Sequence, residues 1–359
     1  MKTLIALIAL SFLTTSLLAE NEIEFPSPVT FQAAGDPNSS VCWFGTEDGS
    51  IHQVDLEKGE IERSIPCVEA PISKIVIDRQ REQFALQVDK RIFIGTIDDE
   101  GWTQTAEFSE LADNDDLSIY DMKFSSSGEG IYLVFYCNME IFVQAWNIAS
   151  KELSDVYNPH EWWNGFPVFS KKSDTIWIPQ WNIIEGPGIE GSIPGDVVEI
   201  ELTDGSVNRR IAGAWSAVWL ADNENSLVLM SMENALNIKQ TRAYSIYDFE
   251  EDKLQPLLRG AYTGIILSPS TPTVCLTHHG VDARLLLYDY KSNIFDWDSI
   301  EVPEATEAAY SPDGKYISNI QDGTILHITP LNEYGWFPRN DVETSSTEEA
   351  DPQAVQPEE

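Results

Sequence analysis

Basic residues are scarce in this sequence. The 359 residues include 22 Lys and Arg against 59 Asp and Glu, a formal net charge of −37. A role in nucleic-acid binding is excluded, because a phosphate backbone demands a basic footprint, and an anionic bilayer surface is disfavoured for the same reason. Cysteine is scarce too: Cys42, Cys67, Cys137 and Cys275, with no Cys-x-x-Cys, which leaves a zinc ribbon or a dithiol redox centre without support. Walker, Rossmann, Gly-x-Ser-x-Gly and His-Glu-x-x-His patterns are all absent. The sequence thus implies no cofactor and no metal. Long helical periodicity is missing, and after Leu18 no apolar run is long enough to cross a bilayer.

What is present starts at the N-terminus. Met1-Lys2, an apolar stretch from Thr3 to Leu18 and Ala19 before Glu20 form the three regions of a secretory signal peptide over residues 1–19. The alternative is an uncleaved anchor, for which the run is short. The expectation is an extracytoplasmic protein, periplasmic or secreted, with no stable membrane insertion after cleavage. Residues 341–359 read DVETSSTEEADPQAVQPEE, with seven acids, no base and two Pro, a composition expected to stay disordered and to be dispensable for folding.

Between these ends the chain repeats itself. Seven short segments finish in an apolar or aromatic anchor followed by a small or polar residue: Phe31, Ile77, Phe124, Phe169, Leu220, Leu267 and Tyr310, stepping by 46, 47, 45, 51, 47 and 43 residues. Seven residues after each of the last six stands a second apolar residue: Phe84, Ile131, Ile176, Leu227, Val274 and Ile317. A turn of Ser, Asp, Gly and Asn separates each pair. In the first unit the second run, VCWFG, starts about three residues late, as if its turn held an insertion. A third run follows in every unit (SIHQVDL, RIFIGTI, EIFVQAW, DVVEIEL, RAYSIYDF, RLLLYDY, TILHITP), and often a weaker fourth. Four strands recurring every 40 to 50 residues predict an all-β, seven-bladed β-propeller over residues 20–340. Either Ile23–Pro26 or Asn332–Pro338 would supply the outer strand that closes the ring.

Two stretches carry a family likeness. YSPDGKYI (Tyr310–Ile317) resembles the first-strand turn of WD40-type and TolB-like propeller repeats, and GTEDGSIHQVDLEKGEI (Gly45–Ile61) resembles the second half of such a repeat. The Gly-His start is missing and no unit ends its third strand in Trp-Asp; Trp297-Asp298 falls in a fourth strand instead. The likeness implies a binding platform without shared catalytic residues.

Candidate functional residues follow from placement. His52 and His327 fall in third strands and read as structural. His160, Glu161, Trp162 and Trp163 lie in the link between units three and four, and His278, His279 and Asp282 follow the second strand of unit six. Trp181 opens the longest insertion, Asn182–Gly195, read as a loop, which accounts for the 51-residue step. Links between blades and turns between second and third strands share one face of a propeller, so these residues form one candidate binding surface. The aromatics would supply flat apolar contact and the polar groups would orient a ligand. The first reading is a monomeric protein- or glycan-binding module; the alternative is an extracytoplasmic enzyme acting on a sugar or lactone through a carboxylate or cation in the funnel. Cys42 and Cys67, close in chain and in blade, are the one pair placed for a disulfide.

Overall fold

The structure is a computed structural model that describes residues 21–36, 38–109, 117–137, 140–158, 167–186, 189–220, 226–233, 241–260, 264–271, 273–278, 284–290, 294–301 and 308–331. These contain strands and no helix. The first strand, β1 (Asn21–Glu24), stands apart from its sequence neighbours. Blade 1 is β2 (Val29–Ala34), β3 (Val41–Thr46), β4 (Ser50–Asp55) and β5 (Glu60–Pro66). Blade 2 is β6 (Lys74–Asp78), β7 (Gln83–Val88), β8 (Arg91–Asp98) and β9 (Gly101–Phe108). Blade 3 is β10 (Leu117–Phe124), β11 (Gly130–Cys137), β12 (Glu140–Asn147) and β13 (Leu153–Tyr157). Blade 4 is β14 (Val168–Phe169), β15 (Thr175–Gly186), β16 (Ile189–Glu201) and β17 (Val207–Trp215). Blade 5 is β18 (Ala217–Leu220), β19 (Ser226–Glu233), β20 (Thr241–Asp248) and β21 (Lys253–Gly260). Blade 6 is β22 (Gly264–Leu267), β23 (Thr273–His278), β24 (Arg284–Asp289) and β25 (Ile294–Glu301). Blade 7 is β26 (Ala308–Tyr310), β27 (Tyr316–Gln321) and β28 (Ile325–Pro330), with β1 as its fourth strand.

The sequence periodicity is a hydrogen-bonding periodicity. Each anchor and the apolar residue seven places on are cross-strand partners: Ile77 with Phe84, Phe124 with Ile131, Phe169 with Ile176, Leu220 with Leu227, Leu267 with Val274 and Tyr310 with Ile317. The intervening turn is closed the same way in four blades, where a Ser N–H donates to the residue before the second register position. These bonds are Ser125 to Gly130 (2.9 Å), Ser170 to Thr175 (3.0 Å), Ser268 to Thr273 (2.9 Å) and Ser311 to Tyr316 (2.8 Å). Gly314 has φ +75° in its turn, a conformation that favours a residue without Cβ.

Blade 1 corrects the reading of the first unit. There the equivalent bond runs from Gly35 N–H to Val41 O (3.1 Å), and Ala34 pairs with Cys42. Ala34 therefore occupies the anchor position, three residues after Phe31, and the turn is only one residue longer than its counterparts. The more conspicuous aromatic masked the true anchor.

Ring closure falls to the N-terminus. β1 runs antiparallel to β28 from Asn21–Ile328 to Glu24–Ile325, so the outer strand of blade 7 comes from the far end of the chain. The other candidate, Asn332–Pro338, lies outside the described residues. The core is not one mass but seven wedges, one at each junction between neighbouring blades. The closing wedge holds Ile23, Phe25, Leu326 and Ile328 against Cys42, Phe44, Val54 and Leu56. Both faces of each inner strand are thus buried, which explains runs as continuously apolar as IYLVFY in β11.

Candidate functional site

Strand direction alternates within each blade. Turns between first and second and between third and fourth strands lie on one face of the ring; hairpins between second and third strands, and the links between blades, lie on the other. The expected surface belongs to the second face. Of its residues, His160, Glu161, Trp162, Trp163, His279 and Asp282 lie outside the described residues. His278 is the last residue of β23, paired with Arg284, rather than a residue following the strand.

Trp181 is not at the mouth of a loop. β15 and β16 run to 12 and 13 residues, where the second and third strands of the other blades have six to eight. They pair from Trp181–Pro194 up to Gly186–Ile189, so the insertion is a β-ribbon rather than a loop. Neither of its edges is covered among the described residues: β14 reaches only Trp177 and Ile176, and β17 stops pairing at Gly195–Trp215. Ile193, on the ribbon, is 48% exposed.

The base of the ribbon is fastened by a chain of side-chain bonds at two bulges, one between Pro179 and Trp181 and one between Gly195 and Val197. Gln180 Nε2 donates to Tyr157 Oη (3.0 Å), and Arg210 Nη1 donates to Gln180 Oε1 (3.0 Å) and to Asp196 Oδ2 (3.1 Å). The other oxygen of Asp196 accepts the Gly213 N–H (3.0 Å). Trp181 sits half-buried at this bend, and its indole N–H is sequestered with no acceptor among the described residues. Trp177 and Trp215, by contrast, are core residues.

On blade 1, His52 is structural as expected. It is 1% exposed, shares a hydrogen bond between Nδ1 and Ser64 Oγ (2.8 Å) and stands 3.5 Å from Thr46 Oγ1, which donates to Asp48 Oδ1 (2.7 Å). Burial holds the His52 imidazole below its ordinary range, opposed by the Asp48 charge. Asp48 is itself held low, chiefly by the Thr46 hydroxyl. His327 is likewise buried, with Nε2 2.6 Å from Gln321 Oε1. Cys42 and Cys67, the one pair close enough in chain and blade to consider, are not bridged: all four cysteines are free. Cys42 lies in the closing wedge while Cys67 packs in the wedge between blades 1 and 2, so the two thiols belong to different cores. Burial pushes the thiols of Cys42, Cys67 and Cys275 up to about 12. Among the described residues no three His, Cys, Asp or Glu are grouped to hold a metal ion.

The sequence reading missed two clefts on the opposite face. One, about 320 Å³, opens between blades 1 and 2 beside Trp43, Arg63 and Ile97; the other, about 210 Å³, lies between blades 4 and 5 beside Trp177, Arg209 and Phe249. They occupy equivalent positions. Trp43 pairs with Gln53 and Gln53 with Arg63, just as Trp177 pairs with Glu199 and Glu199 with Arg209. The available signal was a Trp directly after the second register residue in unit four (Ile176-Trp177). Its counterpart in unit one (Cys42-Trp43) was hidden by the misplaced anchor.

No protein-family model matches the sequence, and neither does any curated protein. Solved structures do match in shape. The β-propeller domain of Cps50 (Swd1) from Myceliophteria thermophila superposes with a TM-score of 0.61 at 11% identity, over 86% of this chain and 99% of that one. The WD40 repeats of RRP9 give 0.54 at 14% identity, over 87% and 98%. The fold is the seven-bladed β-propeller, which these WD40 domains share. Hydrazine synthase from Kuenenia stuttgartiensis also matches, with a TM-score of 0.58 at 13% identity, over 86% and 97%. At these identities the likeness is one of fold alone, and the TolB-like side of the resemblance draws no support from these neighbours.

Proposed function

We propose that this propeller is a protein-binding scaffold acting outside the cytoplasm, with the blade 4 ribbon as its principal contact element. The observation that carries this reading is the ribbon itself. A two-stranded element with neither edge covered among the described residues presents backbone N–H and C=O groups that a partner strand can pair with. Trp181 and Ile193 add apolar area beside those edges, and the Arg210–Asp196–Gln180 chain fixes the ribbon's base so that little order need be gained on binding. The link carrying His160, Glu161, Trp162 and Trp163 and the segment His278–Asp282 extend the same surface in this proposal, since they connect strands that end on that face. A protein partner is preferred to a glycan because backbone edges recognise backbone. The extracytoplasmic setting rests on the pattern of residues 1–19.

The test is capture from an envelope extract by the mature protein and by a variant in which Asn182–Ile193 is replaced with Asn-Gly. The wild type should retain a defined protein that the shortened variant loses while keeping the same circular dichroism. Retention of the same proteins by both would remove the ribbon from the binding surface. N-terminal sequencing of exported material should begin near Glu20, and an intact Met1 on soluble cytoplasmic protein would overturn the compartment.

A further inference from the structure

The two clefts differ in one respect that points to a ligand. Two residues past the register row, the neighbouring blade contributes Phe249 to the cleft of blades 4 and 5, and Ile97 to the cleft of blades 1 and 2. Phe249 lies in an aromatic and cationic bracket: its ring stacks on Trp177 (centroids 5.4 Å apart, 25° between planes), and the Arg209 guanidinium stands 5.1 Å from its centroid. Trp177 is consequently 2% exposed. Where that position holds Ile97, an aliphatic residue as in most blades, Trp43 stays half-buried and the larger cleft remains. The bracket is nonetheless built. Trp43 is fixed edge-on against Phe84 (centroids 5.0 Å, 72°), and Arg63 reaches across the junction to donate to Asp98 O, beside Ile97.

We infer that the cleft between blades 1 and 2 is a recognition pocket for an aromatic side chain of a protein partner, which takes there the place that Phe249 takes between blades 4 and 5. A ring held between an indole and a guanidinium gains stacking and cation–π attraction beyond its buried area. Trp and Arg are the side chains in which interface energy concentrates. The lining is mixed in charge: it holds Arg63 and Arg79 as well as Asp36 and Glu82. The ring therefore sets recognition, and net charge does not. Sugars also stack on Trp, but the occupied twin shows a side chain of a polypeptide in the bracket. The inference takes from the scaffold reading only that the partner is a protein; its site is on the opposite face.

The experiment selects random peptides on the full mature protein and measures the selected peptides against three variants. Ile97→Phe supplies the protein's own ring, Arg63→Gln removes the cation, and Trp181→Ala alters the other face. Selected peptides should share one aromatic position. Their affinity should fall about tenfold or more with Ile97→Phe and several-fold with Arg63→Gln, and stay unchanged with Trp181→Ala. Peptides without a common aromatic, or equal binding to Ile97→Phe, would overturn the inference. Peptides sensitive to Trp181→Ala alone would leave the scaffold reading standing and remove this pocket. If Ile97→Phe fails to fold, Arg63→Gln decides, with undiminished affinity counting against the pocket. A concentration-dependent dimer that Ile97→Phe abolishes would make the occupant a second copy of this chain and equally overturn it.

Discussion

Asn319 is the residue most at odds with its surroundings. It occupies in β27 the place held by Leu86, Leu133, Ile178, Leu229 and Leu276 in other second strands, two residues past the register position. It is 1% exposed, and neither amide atom has a hydrogen-bond partner among the described residues. Its neighbour Ser318 turns the other way and bonds Gln32 across the closing junction (2.9 Å). A buried amide without partners costs about 1–3 kcal/mol, so Asn319→Leu should raise stability by that order in urea unfolding. A loss of stability would show that the amide has a partner. The thiols make a second expectation. With values near 12, Cys42, Cys67 and Cys275 are thiolate at pH 8 to roughly one part in ten thousand. They should resist alkylation in the native protein, and all four cysteines should titrate in guanidinium; two missing thiols there would reveal a disulfide. His52 sets a pH dependence. Its folded value lies below the ordinary 6.5, so the unfolded chain binds the proton more readily. The stability it contributes is present above about pH 6.5 and is lost as pH falls below it. His52→Gln should flatten that part of the stability profile.

At the scale of elements, the closing strand and the ribbon call for opposite outcomes. β1 carries Ile23 and leads to Phe25, which packs against the Phe44 ring (centroids 5.2 Å) and edge-on to His52 (5.3 Å). Phe25→Ala should cost about 3–5 kcal/mol, because it empties the wedge that joins the last blade to the first. A change under about 0.5 kcal/mol, the range of surface substitutions, would mean the ring is closed by another segment. Elements also show where sequence reading succeeds. Six anchors were legible because each has an apolar cross-strand partner at a fixed distance through a short turn, so one hydrogen-bond register leaves two marks in the sequence. The first unit misled because Ala34, a small residue, holds the anchor position while Phe31 stands nearby. The ribbon read as a loop because its Gly and Pro residues signal turns locally, while its pairing extends a hairpin that only the partner strand makes visible. Both Trp–Arg clefts depend on register across three strands and on the neighbouring blade, which no local pattern carries.

The whole molecule is a ring of seven similar junctions, and its stability is distributed among them. Unlike an open repeat array, the ring ties its first and last blades through β1, so the blades should unfold together; a single urea transition followed by both fluorescence and circular dichroism is the expected result. At this scale the seven-bladed architecture was legible in full, since repetition in two registers leaves few folds to choose among. For function the sequence offered only two classes, a binding module and an extracytoplasmic enzyme. The identity of a propeller's contact surface lies in what departs from the repeat, and here the departures that bear on contact are the blade 4 ribbon and the open Trp43–Arg63 cleft. The central claim, that the ribbon face binds a protein, is tested most directly by a photo-crosslinking residue at Ile193, 48% exposed on the ribbon, with a control at Val207, equally exposed on β17. The account predicts a discrete protein adduct from position 193 that Trp181→Ala abolishes, and none from position 207. An adduct from position 207 with none from 193 would contradict it.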